Sequence, residues 1–416
     1  MIKISKKPEI RFAGFEDEWV KKKFDDVFDM LSNNTLSRDA LNSESGVVKN
    51  IHYGDVLTKF GEYIDISSVK LPFISDQSIA IKFIRSYFKD GDIVIADTAE
   101  DETVGKCTEV IGVKEMPVIA GLHTMPCRPK EKYGPKYMGY YLNSNAYHDN
   151  LFPLMQGVKV TSISRTGVKE TNVILSTEFE EQEKIGKHLS SLDEMLTLET
   201  AKYEKLVIIK KAMLEKLFPK EGCDVPELRF GGFTDVWEQR KIGEFLSERC
   251  ESMPGGELLS VTTNNGIKKF SEIGRHDNSN DDKTKYKRVC IGDIAYNSMR
   301  MWQGASGYSP YDGIVSPAYT VLTPSQDVDS RCVAYLFKRP DMIQTFRTNS
   351  QGITSDNWNL KFPALSEIKI MLAKSLDEQR QIADFLQYID DIIRLQLQKV
   401  KKIKNIKSVC MEKMFV

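Results

Sequence analysis

The 416-residue chain lacks the segments that mark membrane and secreted proteins. No stretch approaches the roughly 20 consecutive apolar residues that a membrane-spanning helix needs. The N-terminal sequence MIKISKKPEI has lysines but no apolar run behind them, so no signal peptide is expected. The seven cysteines are scattered and include no CxxC pair, which favours reduced thiols over disulfides or a zinc site. We therefore expect a cytoplasmic protein without a membrane partner.

The chain also lacks the short motifs of common enzyme classes. It contains no GxGxxG, GxxxxGK(S/T), GxSxG or HExxH sequence, no NPPY-like motif of a base methyltransferase and no convincing PD…ExK nuclease motif. Its five histidines show no metal-ligand spacing. One acidic cluster, Asp97, Glu100, Asp101 and Glu102, leaves a metal site open, although a solvated turn is favoured. The expectation is a chain with no catalytic residues and no bound metal.

The charge balance excludes a uniformly basic surface. The 58 lysines and arginines are offset by 59 aspartates and glutamates, and the formal net charge is −1. Because attraction to phosphates needs clustered Lys and Arg, any nucleic-acid binding must come from local patches.

What the sequence does contain is an internal repeat. Residues 8–23, PEIRFAGFEDEWVKKK, return at 226–241 as PELRFGGFTDVWEQRK, with nine of 16 positions identical. The sequence EQEKIGKHLSSLDEML from residue 181 returns from residue 378 as EQRQIADFLQYIDDII, and a Gly-Asp-Ile echo pairs 91–93 with 292–294. The offsets between the copies fall from 218 through 201 to 197, so 21 residues are lost between the two conserved ends. Such a chain presents two different faces from one repeated frame.

The C-terminal part of each copy predicts a long helix, at 178–218 and at 374–416. Apolar residues follow a heptad seam typical of paired helices. Polar residues interrupt the seam at matching places, Glu199 and Lys210 in the first helix and Gln396 and Lys407 in the second. We expect the two helices to pack on each other, with a dimerisation coiled coil of unrelated role as the alternative. The predicted seam contains Ile185, Leu189, Leu192, Leu196, Leu206, Ile382, Leu386, Ile389, Ile393 and Ile403.

The segments between these landmarks predict an α+β fold with two globular domains alternating with the helices. Short strand-like runs lie at 92–97, 172–175, 293–297 and 318–323, and short helices are expected at 135–148 and 331–347, with Pro340 interrupting the second. The expected organisation is a first domain at 1–177, a helix at 178–218, a linker at 219–226, a second domain at 227–373 and a helix at 374–416.

Matched polar loops in the two domains are candidates for ligand contact. Both copies contain Gln-Gly followed by Thr-Ser just before the last strand ahead of the long helix. Arg, Asn and Gln can bond base edges, whereas Ser, Thr and Lys commonly hold phosphates. A solvated surface is the alternative for any single loop, Trp302 and Trp358 fit a half-buried core position equally well, and Trp19 and Trp237 are assigned to packing. The candidate DNA-binding residues are Gln156, Lys159, Thr161, Ser162, Arg165, Lys283, Lys285, Arg300, Trp302, Gln303, Gln351, Thr354, Ser355 and Asn357.

The PELRFGGFTDVWEQRKIGEF motif, the EQ(E/R)xI start of each long helix and the QG…TS loops together resemble the specificity subunit of type I restriction-modification enzymes. The resemblance covers essentially the whole chain. It implies that each domain is a target-recognition domain reading one half of a bipartite double-stranded DNA sequence through the major groove. It also implies that the helices form an antiparallel coiled coil, which gives the chain an internal pseudo-twofold repeat. The implied partners are two modification subunits that use S-adenosylmethionine and restriction subunits that use ATP and Mg²⁺, while this chain binds no cofactor.

On this hypothesis the paired helices act as a ruler between the half-sites. About 40 residues at 1.5 Å per residue give roughly 60 Å, so the half-sites lie no more than about 18 base pairs apart. Two alternatives stay open: a stand-alone nuclease that uses the acidic cluster, and a coiled-coil protein-interaction scaffold without DNA readout. Loss of Mg²⁺-dependent DNA cleavage by the purified chain when these acids are changed to Ala would favour the nuclease.

Overall fold

Two compact units make up the protein. The computed structural model describes residues 7–114, 116–263, 266–274, 276, 279, 281–353 and 357–416. Unit 1 combines the residues up to Thr200 with Gln398–Val416, and unit 2 is Ala201–Leu397. Each unit contains sheets, short helices and segments of two long helices, so the predicted α+β class is confirmed. No helix in the described ranges is long and apolar enough to cross a bilayer, and the seven cysteines are free thiols.

Unit 1 is built from short strands and short helices that precede a long helix. Its strands are β1 (Val20–Lys23), β2 (Phe28–Met30), β3 (Leu41–Asn42), β4 (Val48–Ile51), β5 (Tyr63–Asp65), β6 (Phe73–Ile74), β7 (Ile93–Ala96), β8 (Thr98–Ala99), β9 (Cys107–Ile111), β10 (Val118–Ala120), β11 (Thr124–Pro129), β12 (Thr161–Ser162) and β13 (Asn172–Leu175). Its helices are α1 (Phe24–Val27), α2 (Tyr53–Thr58), α3 (Gln77–Lys82), α4 (Tyr137–Asn143), α5 (Asn145–His148), α6 (Arg165–Glu170) and the first part of α7 (Phe179–Lys216).

The main sheet of unit 1 has the order β2-β11-β7-β9-β5, and its neighbouring strands run antiparallel except β5 and β9. A second sheet has the order β10-β4-β6-β3, and two strand pairs, β1-β13 and β12-β8, complete the described strands. Tyr137 and Tyr141 of α4, Ile93 of β7 and Ile185 of α7 belong to one buried apolar cluster. This shared core fixes the start of the long helix on the domain.

Unit 2 repeats the plan with fewer strands in its main sheet. Its strands are β14 (Glu238–Lys241), β15 (Leu246–Glu248), β16 (Leu259–Thr262), β17 (Gly266–Lys269), β18 (Lys287–Val289), β19 (Ile294–Asn297), β20 (Ser306–Tyr308), β21 (Gly313–Val315), β22 (Tyr319–Pro324) and β23 (Lys369–Leu372). Its helices are α8 (Ser330–Leu336), α9 (Pro340–Thr348), α10 (Phe362–Ser366), the end of α7 and most of α11 (Leu376–Lys413). The main sheet has the antiparallel order β15-β22-β19-β20.

The four strands predicted from the sequence are all present, as β7, β13, β19 and β22. Pro340 separates α8 from α9 because it stands at the first position of α9, where its missing N–H and fixed φ suit the start of a helix. The long helices α7 and α11 agree with the predicted 178–218 and 374–416 to within three residues at each end.

In each unit the two long-helix segments run antiparallel. In unit 1, Asp193 pairs with Lys407 at 2.6 Å and Glu199 pairs with Lys399 at 2.9 Å, so the numbers rise along one helix as they fall along the other. In unit 2, Lys210 pairs with Asp390. Seven of the ten predicted seam residues are buried and three are half-buried. The core cluster of unit 1 contains Ile185, Leu189, Leu192 and Ile403, and that of unit 2 contains Ile382 and Leu386. Ile389 is also buried, and the half-buried residues are Leu196, Leu206 and Ile393.

Three of the four polar interruptions of the seam, Glu199, Lys210 and Lys407, form ion pairs. Lys407 bonds Asp193, whose carboxylate also accepts a hydrogen bond from Tyr140 of α4. Unit 2 contains the same arrangement: Lys210 bonds Asp390, which accepts a hydrogen bond from Tyr335 of α8 at 2.8 Å. Each lysine therefore bonds an aspartate on the other long helix, and that aspartate is bonded in turn to a tyrosine in the globular part of the same unit. This shared arrangement explains why a lysine interrupts the seam at the matching place in both copies.

The two conserved ends of the repeat meet in a buried clamp. In unit 1, Glu181 at the start of α7 accepts hydrogen bonds from Arg11 Nε at 2.6 Å and from Trp19 Nε1 at 3.1 Å. In unit 2, Glu378 accepts from Arg229 Nε at 2.7 Å and from Trp237 Nε1 at 3.2 Å. The PE(I/L)RF…W and EQ motifs are thus the two halves of one contact, which holds each long helix on its domain.

Candidate nucleic-acid interface

The Gln-Gly loop of unit 1 is closed at its base by two backbone hydrogen bonds. Gln156 N donates to Ser162 O at 3.0 Å, and Ser162 N donates to Gln156 O at 2.8 Å. Ile163 N then donates to Asp97 O at 2.9 Å, which places the loop beside the turn that follows β7. Of the predicted contacts in this loop, Gln156, Lys159 and Ser162 are exposed and Thr161 is half-buried.

Unit 2 closes its Gln-Gly loop in the same way. Gln351 N donates to Asn359 O at 3.0 Å, and Asn359 N donates to Gln351 O at 2.8 Å. Leu360 N donates to Ser298 O at 2.9 Å, which places this loop beside the turn that follows β19. Gln351 and Asn357 are exposed. The predicted contacts Thr354 and Ser355 lie outside the described residues.

The connection between β19 and β20 joins this surface. Arg300 and Gln303 are exposed and bonded to each other, Nη1 to Oε1, at 3.2 Å. The ring of Trp302 meets that of Trp358 edge to face at a centroid distance of 5.2 Å, and the Arg347 guanidinium lies 5.2 Å from the Trp358 ring centre. The predicted residue Trp302 is thereby brought next to the segment that contains the Gln-Gly loop, although the two tryptophans are 56 positions apart in the sequence. Both tryptophans are half-buried, as the packing alternative allowed.

Lys338 supports this surface from inside unit 2. Its ammonium donates to Gly304 O at 2.7 Å, in the β19–β20 connection, and to Thr263 O at 2.8 Å, beyond β16. Burial, together with the smaller effect of the nearby charge of Lys210, lowers the pKa of Lys338 to about 8. No periodic pattern singles out Lys338 in the sequence, because its role depends on two backbone carbonyls from distant segments.

The two lysines predicted in the DDKTKYKR segment lie just ahead of β18 in unit 2. Lys285 is exposed. Lys283 is half-buried, donates to Ser279 Oγ at 2.9 Å and lies 5.4 Å from the ring centre of Tyr286. Their contact with DNA stays a prediction.

Arg165 is engaged within unit 1. Its Nη1 donates to Leu31 O at 2.9 Å and its Nη2 donates to Asn33 Oδ1 at 2.6 Å. These bonds tie the first residue of α6 to the segment after β2. A base contact by Arg165 would have to compete with them, and it too stays a prediction.

The acidic cluster of unit 1 occupies the structural counterpart of the Arg300 turn. The acidic segment connects β7 to β9 in unit 1, and the Arg300 segment connects β19 to β20 in unit 2; each pair of strands is antiparallel. Each connection also accepts a backbone hydrogen bond from the residue that follows the Gln-Gly loop of its unit. Asp97 bonds Thr98 Oγ1 at 2.8 Å and lies 3.3 Å from His123 Nδ1. Among the described residues no group of His, Cys, Asp and Glu side chains could hold a metal ion. The sequence interpretation did not pair these turns, although the Gly-Asp-Ile offset of 201 aligns them.

This correspondence gives the two units opposite charge at one position of the fold. The turn after β7 carries four carboxylates, whereas the turn after β19 presents Arg300 and Gln303. Carboxylates accept hydrogen bonds from exocyclic base amines, and Arg donates to the guanine edge. The same frame therefore offers two surfaces with different charge and hydrogen-bonding groups.

Comparison with known proteins agrees with the repeated frame. A family model described as the type I restriction modification DNA specificity domain matches the chain twice, at residues 16–207 and 234–405. The MjaX protein of Methanocaldococcus jannaschii, provisionally assigned as a type I restriction enzyme specificity subunit, is 25% identical over 422 residues, 97% of this chain and 93% of the relative. The type I restriction enzyme MjaVIII specificity subunit of the same organism is 27% identical over 253 residues, 55% of this chain and 58% of the relative.

Two solved structures share the fold. The S subunit of a type I restriction-modification system from M. genitalium has a TM-score of 0.59 at 14% identity, with 99% of each chain covered. A chain from a study of complex assembly and conformational transition of the type I R-M system has a TM-score of 0.51 at 15% identity, with 98% of this chain and 99% of that chain covered. At these identities the likeness shows the fold alone.

Proposed function

Because the chain belongs to the type I restriction-modification DNA specificity family, we propose that its two units read the two halves of an asymmetric, bipartite DNA target. The observation that carries the proposal is the pair of Gln-Gly loops, closed by the same backbone bonds but surrounded by different side chains. Phosphate contacts position a protein on DNA, whereas contacts to base edges specify the sequence. The exposed residues Gln156 and Lys159 in unit 1 and Arg300 and Gln351 in unit 2 supply both kinds of donor.

The chain acts by recognition, and its partners perform the chemistry. We assign adenine methylation, with S-adenosylmethionine, to two modification subunits, and ATP-driven translocation and Mg²⁺-dependent cleavage to restriction subunits. An apolar groove of about 570 Å³ in unit 1 offers a partner surface; Ile10, Ile406 and Val409 line it. Isolated from these partners, the chain should bind DNA weakly, since its net charge of −1 provides little attraction to phosphate.

Mapping methylated adenines tests the readout. In cells that contain the modification subunits, methylation at a bipartite sequence should require this chain. Arg300→Ala should relax the sequence preference in one half of that target only. Arg394→Ala is the matched control, since Arg394 is an exposed arginine of α11 whose partner is Asp391. An unchanged methylation pattern with Arg300→Ala would favour a scaffold without DNA readout.

The helix lengths provide a second test. Inserting one heptad at matching positions of α7 and α11 keeps the seam in register and adds about 10 Å, so the gap between half-sites should grow by about three base pairs. Seven residues inserted into the joint at 219–226 should leave the gap unchanged. An unchanged gap in the heptad variant would contradict the ruler role.

A further inference from the structure

Two aliphatic side chains stand fully in solvent at equivalent places in the two units. Val158 is 103% exposed and Ile353 is 99% exposed, and each directly follows the Gln-Gly pair of its loop. The next most exposed large apolar residue in the described chain is Ile208, at 67%. An aliphatic side chain gains nothing from complete hydration. A single exposed aliphatic residue is ordinary, but nearly complete exposure at the same place in both copies points to an apolar contact outside the chain.

The backbone holds both side chains outward. Gly157 has φ +115°, and a Cβ atom on it would lie 2.0 Å from Val160 O. Gly352 has φ +143°, and a Cβ atom on it would lie 2.6 Å from Asn357 O. Only glycine fits either position. The paired backbone hydrogen bonds at the base of each loop then fix the direction in which the next residue points.

The polar neighbours indicate what the tips touch. Lys159, Thr161 and Ser162 share the loop with Val158, while Gln351 and Asn357 share the loop with Ile353. These residue types suit phosphates and base edges rather than an apolar protein surface. Bases offer apolar surface within such a polar setting, namely the thymine methyl group in the major groove and the ring faces at an opened step.

We propose that Val158 and Ile353 are specificity-determining residues that pack against bases, Val158 in one half-site and Ile353 in the other. The inference rests on the proposed DNA readout and extends it to side chains that form neither hydrogen bonds nor ion pairs. It predicts that their loss weakens specific binding without changing the number of counterions released, because no phosphate contact is lost.

The test uses the complex with its modification subunits and a pool of targets in which both half-sites are randomised. Val158→Ala should weaken binding to the preferred target about tenfold, and Ile353→Ala should weaken it more, since it removes more apolar surface. Each variant should relax base preference at one or two adjacent positions of a single half-site. The dependence of affinity on salt should stay that of the wild type, whereas Lys159→Ala should reduce its slope.

Matched controls separate the loop tips from exposed aliphatic residues in general. Val47→Ala in unit 1 and Ile291→Ala in unit 2 remove partly exposed side chains of the same types; Ile291 precedes β19, at the opposite end of that strand from the Gln-Gly loop. These variants should bind as the wild type does.

Three results would overturn the inference: unchanged base preference in both tip variants, equal weakening on specific and non-specific DNA, or loss of the modification subunits during purification. The last would make the tips protein contacts. Failure of the proposed function is distinguishable, because the wild-type complex would then select no bipartite target at all.

Discussion

The clamp at the start of α11 provides the sharpest test of how the repeat holds its helices. Glu378 is 1% exposed and accepts three hydrogen bonds, from Arg229 Nε at 2.7 Å, from Arg229 Nη2 at 2.8 Å and from Trp237 Nε1 at 3.2 Å. Glu378→Ala leaves a guanidinium and a buried indole N–H without their acceptor. Removing one partner of a buried ion pair lowers the free energy of unfolding by about 3–5 kcal/mol. We expect the lower end, about 3 kcal/mol, because Arg229 keeps its bond to Asp235 O.

Hydrogen-exchange mass spectrometry measures this cost locally. A loss of about 3 kcal/mol corresponds to exchange faster by roughly 150-fold in peptides that cover 226–245 and 369–386, provided that closing is faster than exchange. Peptides from unit 1 should be unaffected and serve as an internal reference. Asp377→Ala is the matched control, because the Asp377 side chain is 77% exposed and bonds only Arg380 of its own helix among the described contacts. It should cost less than about 1 kcal/mol.

The equivalent variant in unit 1 should be more severe. Glu181 accepts the same three hydrogen bonds, from Arg11 and Trp19, and a fourth from Ser176 Oγ. If Glu378→Ala accelerated exchange no more than Asp377→Ala, the clamp would be dispensable and the conserved motifs would need another explanation.

Three further predictions concern single side chains. Burial raises the pKa of Glu109 to about 7, above the unfolded value near 4.5. The stabilising contribution of this group is therefore complete below pH 4.5, and on the order of 3 kcal/mol is lost as the pH rises to 7. Glu109→Gln should flatten this part of a stability–pH curve measured by thermal unfolding. Lys338→Met removes the hydrogen bonds from Lys338 to two loop carbonyls. Amide hydrogen exchange in the β19–β20 connection should become faster, and specific DNA binding should fall about tenfold. Unchanged values for both would contradict the positioning role of Lys338. Lys210→Asp and Asp390→Lys should each destabilise unit 2 by about 1–2 kcal/mol, with partial recovery in the double variant, and additive losses would show that the pair is uncoupled.

The sequence was sufficient for the long helices, for several strands and for the repeated frame, which depend on local pattern or on self-similarity. Heptad periodicity located both long helices to within three residues. It does so because residues three to four positions apart lie on the same face of a helix, and the buried face is apolar. The repeat identified two copies of one frame and placed the Gln-Gly loop at the same point of each. Strands such as β7 and β19 followed from short apolar runs bounded by turn residues.

The tertiary structure decided which groups meet. Asp92 and Asp293 occupy the same place in the Gly-Asp-Ile echo, but Arg128 of β11 binds the first, whereas Arg249, just beyond β15, binds the second. Arg165 is a predicted DNA contact from the sequence, and only the fold shows its bonds to residues more than 130 positions away. Residue pairing over such separations depends on strand order and register, which residue type and periodicity do not encode. The repeated frame was therefore readable from the sequence, while the charge and shape that each unit presents on it, including the exposed tips at Val158 and Ile353, depend on the folded chain.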